Sequence, residues 1–136
     1  MFLLDTNILS ELMKKRPSSN LLEKLNFTPA GSLCTASVCV MEMRYGALNV
    51  PGTEELWTRI QERILSKLTV MNFTYKEALK AAEILSHLHS TGKPIGLEDV
   101  MIASIALSNG LIVVSANTKH FARIPGLTLE NWLFPD

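Results

Sequence analysis

Short apolar runs alternate with amphipathic helical segments along the chain, and this alternation constrains the fold more than any other feature. The runs FLL (2–4), SLCTAS (32–37), LTVMNF (68–73) and LIVVS (111–115) are predicted strands, and LTLENW (127–132) predicts a short edge strand. Strands that are separated by helices usually form parallel sheets that are covered on both faces. We therefore expect an α/β fold with a central, mainly parallel sheet.

Start and stop signals divide the intervening stretches into separate helices. Helices are predicted over 7–15 and over 38–49, and Pro51 follows the end of the second one. Thr53 is predicted to cap the next helix, whose apolar stripe runs on to Leu68.

Two further helices carry signals at both ends. Thr74 and Glu77 have the spacing of a capping box, and Gly92 suits the left-handed end of the helix behind them. The segment LEDVMIASIALSNG repeats this pattern, with acids in its first turn and Gly110 past its last. We expect one helix before each of these two glycines.

The length and composition of the chain limit the kinds of protein that it can be. A chain of 136 residues can bury a core of its own, so residues 1–136 are predicted to form a single domain. The composition is 47% hydrophobic and 19% charged, which predicts a buried interface with a partner. The chain has 13 basic and 13 acidic residues, and this balance argues against a protein that binds nucleic acid through a general excess of positive charge. A local basic groove is still possible.

The sequence predicts a cytoplasmic protein. Cys34 and Cys39 form no C-x-x-C pair, and the start MFLLDTN lacks the basic region and long apolar stretch of a signal peptide. No apolar run approaches the roughly 20 residues that a membrane-spanning helix needs. We expect a reducing compartment and no membrane partner.

Asp5 stands where the first predicted strand ends and the first helix begins. Its side chain can cap that helix by accepting a hydrogen bond from a backbone N–H group. It can equally belong to a metal-binding group of acids, because sites in parallel sheets form beyond the carboxyl ends of the strands. The local sequence leaves both interpretations open.

Glu42 and Asp99 occupy faces of two predicted helices that should look inward. Glu42 shares a face with Tyr45, although a rotated helix would place it in solvent instead. Asp99 shares a stripe with Ile102, whereas Glu98 is rotated by about 100° from it. An acid in the first helical turn also stabilises the helix dipole, and Glu98 fits that structural role better.

Taken together, the three acids indicate a site for a hard cation. An unpaired carboxylate on an inward face is costly, so it tends to be neutralised, paired or bound to a metal. Mg²⁺ and Mn²⁺ prefer oxygen ligands and use a few carboxylates while keeping several waters. Each acid alone is more often structural than catalytic.

Four segments in order along nearly the whole chain resemble the motifs of PIN-domain ribonucleases. They are LLDTNIL, the glutamate of SVCVMEMRYGAL, IGLEDVMIASIAL and LIVVSANTKHFARIPGLTLENW. The resemblance is closest to VapC-type toxins of type II toxin–antitoxin pairs. It implies a single PIN-like α/β/α domain that hydrolyses RNA with Mg²⁺, for which Mn²⁺ can substitute.

The resemblance also implies which residues form the site. Asp5, Glu42 and Asp99 match the three principal acidic positions as catalytic residues and metal ligands. The fourth position, often aspartate in the family, is Asn117 here. An asparagine ligates through its carbonyl oxygen without adding charge, so a second metal should bind weakly or only with substrate.

Three polar residues are expected to support these ligands. Thr6, Asn7 and Ser115 can hydrogen-bond the carboxylates or bound waters as a second shell, although Thr6 and Asn7 can equally just begin a helix. The expected chemistry is metal-assisted attack of water on a phosphodiester. By resemblance the products carry 5′-phosphate and 3′-hydroxyl ends.

The resemblance further implies a homodimer that is inhibited by a VapB-like antitoxin. Relatives with the NT…F…ENW ending include enzymes that cleave initiator tRNA, so a tRNA is the favoured substrate, while other VapC-like toxins cut ribosomal RNA. Asn117 supports an alternative, a catalytically weak PIN-like module that regulates by binding. A phosphatase acting on small phosphate esters is a third possibility.

Other chemically capable side chains receive structural interpretations. His120 is predicted to be a loop residue, although it follows Asn117 closely. The cations Lys14, Lys15 and Arg16 could contact RNA phosphates, but cations near a helix end are favourable without any ligand, and we prefer that interpretation. Lys93, which precedes the Asp99 segment, is the preferred candidate for a groove that contacts RNA.

Overall fold

A five-stranded parallel sheet forms the centre of the computed structural model, which describes residues 1–135. The strands are β1 (Phe2–Leu4), β2 (Leu33–Ala36), β3 (Thr69–Met71), β4 (Ile112–Val114) and β5 (Leu129–Glu130). They lie in the order β3-β2-β1-β4-β5, and every pairing is parallel. The predicted strands, the edge position of β5 and the parallel sheet are confirmed.

Seven α-helices connect the strands within residues 1–135. They are α1 (Thr6–Leu12), α2 (Ser19–Asn26), α3 (Ser37–Leu48), α4 (Thr53–Arg63), α5 (Tyr75–Ser90), α6 (Leu97–Asn109) and α7 (Thr118–Phe121). Short 3₁₀ turns precede β2 at Ala30–Ser32 and β3 at Leu65–Lys67. Helix α7 was not predicted, because four residues are too few for a helical period to be recognised. None of the helices described is long and apolar enough to cross a membrane.

Both faces of the sheet are covered. Leu3 and Leu4 point to opposite faces of β1, yet their side chains are 0% and 1% exposed. Val113 and Val114 of β4 are likewise completely buried. Burial on both faces explains why these strands read as continuous apolar runs, without alternation. The predicted α/β fold class is confirmed.

The predicted start of α4 at a threonine cap is wrong. Gly52 occupies the cap position with a φ of +74°, a left-handed conformation that glycine adopts without a steric penalty. The hydroxyl of Thr53 instead donates backwards to the Val50 carbonyl, at 2.9 Å. The helix also ends at Arg63, so Leu68 lies beyond it, after the 3₁₀ turn.

Helix α1 is shorter than predicted, because it ends at Leu12 and not near residue 15. The amides of Met13 and Lys14 bond to carbonyls three residues earlier, so the last turn tightens. By contrast, the capping box of Thr74 and Glu77 at the start of α5 is confirmed. Gly92 and Gly110 follow α5 and α6 with φ values of +69° and +64°, as predicted for left-handed helix ends.

The strand order brings together the carboxyl ends of β1 and β4. The chain places β2 on one side of β1 and β4 on the other, so the strand order reverses between β1 and β4. The amide of Asp5 donates to the Val114 carbonyl at 2.9 Å, which extends the pairing to the point where both strands end. Crevices at such reversals are where parallel sheets bind ligands.

Candidate active site

An open cleft of about 560 Å³ lies beyond the ends of β1 and β4. Its walls include all four residues to which the sequence assigned the chemistry: Asp5, Glu42, Asp99 and Asn117. Asp5 follows β1, Glu42 lies in α3, Asp99 lies in the first turn of α6, and Asn117 precedes α7. The fold therefore brings together four side chains that are distributed over more than one hundred residues of sequence.

Asp5 is a buried carboxylate that is held at both oxygens. One oxygen, Oδ1, accepts the backbone N–H of Thr6 at 2.8 Å and so caps α1. The other oxygen, Oδ2, accepts hydrogen bonds from the Ser115 hydroxyl at 2.7 Å and the Asn7 amide at 3.2 Å. Burial raises the pKa of Asp5, opposed by the hydrogen bond from Ser115, and the negative charge of Asp99 raises it further.

Asn7 and Ser115 connect the ends of β1 and β4 through their side chains. The Asn7 amide nitrogen also donates to the Ser115 hydroxyl at 3.2 Å, and its oxygen accepts the backbone N–H of Ala116 at 3.0 Å. The Ser115 hydroxyl in turn accepts the N–H of Asn117 at 2.9 Å. The predicted supporting residues therefore fix Asp5 and the start of the Asn117 loop in one network.

Glu42 faces the cleft from α3, and the Thr6 hydroxyl donates to its Oε1 at 2.9 Å. Burial raises the pKa of Glu42, and the charges of Asp5, Glu98 and Asp99 add to that effect. The prediction that its whole helical face looks inward is wrong at Tyr45, which is 70% exposed. The face therefore turns toward solvent within one turn of Glu42.

Asp99 and Asn117 form a direct pair. The Asn117 amide nitrogen donates to Oδ2 of Asp99 at 2.9 Å. At the fourth position that the sequence resemblance indicated, this chain has a hydrogen-bond donor that orients Asp99. Glu98 is exposed and does not line the cleft, in agreement with the predicted rotation between the two acids.

His120 lies against this pair, so its prediction as an ordinary loop residue is wrong. Its Nδ1 is 3.0 Å from the Asn117 amide nitrogen and 3.3 Å from Oδ2 of Asp99. The residue belongs to the short helix α7, whose single turn directs the imidazole back toward the cleft. The three-residue spacing of Asn117 and His120 would have indicated this contact if α7 had been recognised.

Glu11 and Lys14 also line the cleft. The sequence did not indicate Glu11, and for Lys14 it favoured a structural role over a contact with RNA phosphates. Glu11 accepts the backbone N–H of Ser18 at 2.9 Å and pairs with the Lys14 ammonium at 2.8 Å. The bond from Lys14 is the main cause of a lowered pKa at Glu11. Their spacing from Asn7, at four and seven residues, is a helical stripe that could have revealed them. Lys93, preferred as the groove cation, does not line the cleft within the described chain.

The donor atoms of the cleft suit a hard divalent cation. The carboxylates of Asp5, Glu42 and Asp99 line the same cleft. Burial raises the pKa values of Asp5 and Glu42, the neighbouring negative charges add to that effect, and a cation would stabilise the ionised forms. In residues 1–135 no three His, Cys, Asp or Glu side chains already stand close enough to share one ion. Mg²⁺ commonly needs only one or two carboxylates, with waters and substrate phosphates completing its shell.

Comparison with known proteins places the chain in a family. Residues 2–127 match the family model described as the PIN domain. Over 132 residues the chain is 38% identical to Ribonuclease VapC2 of Haemophilus influenzae, covering 97% of this chain and 98% of the relative. It is 37% identical to the tRNA(fMet)-specific endonuclease VapC of Shigella flexneri, covering 96% and 97% of the two chains.

Solved structures with the same fold include toxin–antitoxin complexes. One is the VapBC2 complex of Rickettsia felis bound to a DNA fragment from its promoter, with a TM-score of 0.85 and 32% identity over 96% of this chain and 98% of the other. Another is DNA-bound VapBC of Salmonella typhimurium, with a TM-score of 0.88 and 34% identity over 96% and 97%. The similarity therefore extends over nearly the full length of both molecules.

Proposed function

Because the chain belongs to the PIN-domain family, as a ribonuclease toxin of the VapC type, we propose that it cleaves RNA with a divalent metal ion held by Asp5 and Asp99. The observation that carries this proposal is the convergence of Asp5, Glu42 and Asp99 on one open cleft. Burial raises the pKa values of Asp5 and Glu42, the neighbouring negative charges raise them further, and a bound cation would offset both effects. We infer Mg²⁺ as the ion, with Mn²⁺ able to replace it.

Asp5 and Asp99 are the residues that would hold the metal. When bound, the ion supplies Lewis-acid chemistry: it lowers the pKa of a water and neutralises charge on the phosphoryl oxygens. Asn117 contributes through its bond to Asp99, which keeps that carboxylate oriented toward the cleft. Ser115 and Asn7 hold Asp5 in the same way.

Glu42 is suited to hold the attacking water and accept its proton. Its pKa is raised by burial and by the neighbouring acids, and a carboxylate with a higher pKa is a better base near neutral pH. The Thr6 hydroxyl occupies Oε1, so the second carboxylate oxygen is available on the cleft side. The cleavage would leave a 5′-phosphate and a 3′-hydroxyl.

We infer a tRNA as the substrate. Two relatives, from Shigella flexneri and Salmonella typhimurium, are named tRNA(fMet)-specific endonucleases, at 37% and 34% identity. The cleft is open and not enclosed, so a looped single strand of RNA can enter it. An anticodon loop presents such a strand.

The proposed partners are a VapB-like antitoxin and a second copy of the chain. VapBC complexes from several bacteria share the fold over almost the whole chain, which supports the antitoxin. For the homodimer, Met41, Tyr45 and Leu48 form an apolar stripe on α3 whose members are 55%, 70% and 55% exposed. Such a stripe on a small protein is typical of a surface that another chain covers.

A binding module with little catalysis is the second candidate function, and Asn117 is the observation that favours it. The missing fourth carboxylate lowers the negative charge available to a metal. In this case Asp5 and Asp99 would matter for neither metal affinity nor growth inhibition.

The deciding experiment is cleavage of total tRNA by the purified, antitoxin-free protein with Mg²⁺, Mn²⁺ or EDTA. We expect discrete fragments that require the metal and that are lost in Asp5→Asn and Asp99→Asn. The cleavage rate should fall by more than about a hundredfold. Replacing a residue that only supports a metal ligand typically costs up to about a hundredfold, so a larger loss indicates the ligand itself. End mapping of the fragments would then identify the cleaved bond.

Glu62→Gln is the control, because it removes an exposed carboxylate on α4 that does not line the cleft. This variant should retain most of the activity. If the wild type bound metal and cut no RNA, or if Asp5→Asn and Asp99→Asn gave the wild-type fragments, catalysis would be abandoned in favour of the binding module.

A further inference from the structure

The cleft has an electrostatic problem as a binding site for RNA. Four carboxylates line it, those of Asp5, Glu11, Glu42 and Asp99, whereas RNA carries one negative charge per phosphate. A metal ion would compensate the acids at the scissile phosphate but not at the neighbouring phosphates. Among the cleft-lining residues in the described chain, Lys14 is the one with a cationic side chain.

Glu11 holds Lys14 in position. Its Oε1 contacts the Lys14 ammonium at 2.8 Å, and its Oε2 is fixed by the Ser18 amide at 2.9 Å. The Glu11 side chain is only 13% exposed, whereas that of Lys14 is 65% exposed. The ammonium is therefore oriented on one side and open to the cleft on the other, with donors left for a ligand.

The position of Lys14 along α1 sets its distance from the reacting phosphate. Asp5 lies at the start of this helix, and Lys14 lies just beyond its end, roughly 13 Å further at about 1.5 Å per residue. The backbone of Lys14 is therefore set well back from Asp5, which favours contact with a neighbouring phosphate over the scissile one. A phosphate further along the same strand is within its reach.

We propose that Lys14 binds a backbone phosphate of the RNA next to the scissile one and is held ready for it by Glu11. This inference rests on the proposed function and names a substrate-binding residue of the same site. An ammonium held in place before binding loses less side-chain entropy when the phosphate arrives. The contact adds affinity and register without sequence preference, because every nucleotide carries the same phosphate.

Lys15 is the matched control for this inference. It is the next residue, it lies beyond the same helix end, and it is exposed but does not line the cleft. If the two lysines served only the helix dipole or general attraction of polyanions, replacing either would have the same effect. If Lys14 contacts a phosphate, replacing Lys14 should weaken RNA binding more than replacing Lys15.

The first test is steady-state cleavage of tRNA with Mg²⁺ by Lys14→Ala, Lys14→Arg and Lys15→Ala. We expect Lys14→Ala to raise KM about tenfold with kcat within about twofold of wild type, and Lys14→Arg to restore most of the loss. Lys15→Ala should remain within about twofold in both constants. Equal KM values for Lys14→Ala and Lys15→Ala would overturn the proposal.

The second test measures binding without cleavage. A labelled single-stranded oligouridine is titrated, in EDTA and at several salt concentrations, with the Asp99→Asn protein with and without Lys14→Ala. Loss of one phosphate contact should reduce the slope of log Kd against log salt by about 0.7, and an unchanged slope would contradict the proposal. This binding measurement needs no catalysis. If the protein failed to cut RNA, the proposed function would be refuted, but the salt dependence of binding would still test the Lys14 contact.

Discussion

At the scale of the residue, Asp5 serves the helix and the cleft with different oxygens. Its Oδ1 caps α1 through the Thr6 amide, and its Oδ2 is fixed toward β4 by Ser115. The structural and functional interpretations of this acid are therefore compatible. The raised pKa of Asp5 is the energetic cost of placing a buried carboxylate beside Asp99.

Glu42→Gln should make the metal-free protein more stable at neutral pH. The pKa of Glu42 is raised in the folded state above its ordinary value of 4.5, so the ionised carboxylate opposes folding once the pH exceeds that value. Glutamine keeps an oxygen to accept the Thr6 hydroxyl but carries no charge. In EDTA at pH 7 we expect a higher urea midpoint for the variant, and the difference should vanish as the pH falls below 4.5.

Glu62→Gln, at an exposed position in α4, provides the comparison. It should change the free energy of unfolding by no more than about 0.5 kcal/mol at any of these pH values. A lower midpoint for Glu42→Gln than for wild type at pH 7 would contradict the charge argument.

Asn117→Asp should tighten metal binding and weaken the metal-free fold. The change adds a fourth carboxylate and replaces the bond from the Asn117 amide to Asp99 with repulsion between like charges. We expect the dissociation constant for Mn²⁺ to fall roughly tenfold, equivalent to about 1.4 kcal/mol, by isothermal titration calorimetry. Unchanged or weaker binding would show that this position does not contribute to the metal site.

At the scale of the element, the start of α5 is stabilised by its capping box, in which the Thr74 side chain accepts the backbone N–H of Glu77. The Glu77 carboxylate accepts the Thr74 backbone amide at 3.3 Å and also the Thr74 hydroxyl. The bond from that hydroxyl is the main reason why the pKa of Glu77 is lowered. The ionised Glu77 therefore stabilises the fold at pH values above its ordinary pKa of 4.5. This contribution is lost as the pH falls through the lowered pKa of Glu77 in the folded state.

Thr74→Ala should cost about 1 kcal/mol of unfolding free energy at pH 7, as measured by urea denaturation. Because the variant also loses the main cause of the low pKa of Glu77, its deficit should shrink at acidic pH. Thr53→Ala is the control, since Thr53 begins a helix without capping it. Equal losses in the two variants would show that the capping box adds nothing to α5.

At the scale of the whole molecule, the end of the chain is bound to its first quarter. The Asn20 amide donates to the carbonyls of Trp132 at 2.9 Å and Phe134 at 2.8 Å, and the Ser18 hydroxyl donates to that of Leu133 at 2.7 Å. The Trp132 ring packs on Phe2 with 5.0 Å between centroids. Leu133 thereby becomes part of the cleft wall.

Asn20→Ala should loosen this attachment and affect both stability and activity. Loss of two hydrogen bonds to backbone carbonyls should cost about 1–3 kcal/mol, measured by urea unfolding. We also expect faster amide hydrogen exchange over 131–134 and a higher KM for RNA, because Leu133 lines the cleft. Asn26→Ala, at the exposed end of the same helix, should leave the stability, the exchange rates and KM unchanged. Equal exchange rates in the two variants would refute the attachment.

The sequence by itself determined which elements form and where the principal acids stand. Strand runs and helix end signals depend on neighbours within a few residues, so the order of elements and the capping box of Thr74 and Glu77 could be predicted from local patterns. Asp5, Glu42 and Asp99 were found from their places at element boundaries and on helix faces. Asn117 was found only through the resemblance to a known family.

Only the tertiary structure decided which side chains meet in the cleft. The bond from Asn7 to Ser115 spans 108 residues, and it exists because β1 and β4 became neighbours in the sheet. The contact of His120 with Asp99 and the place of Lys14 in the cleft depend in the same way on the strand order. Local propensity carries no information about contacts between distant segments, since these form only when burial of both sheet faces selects one arrangement of the strands.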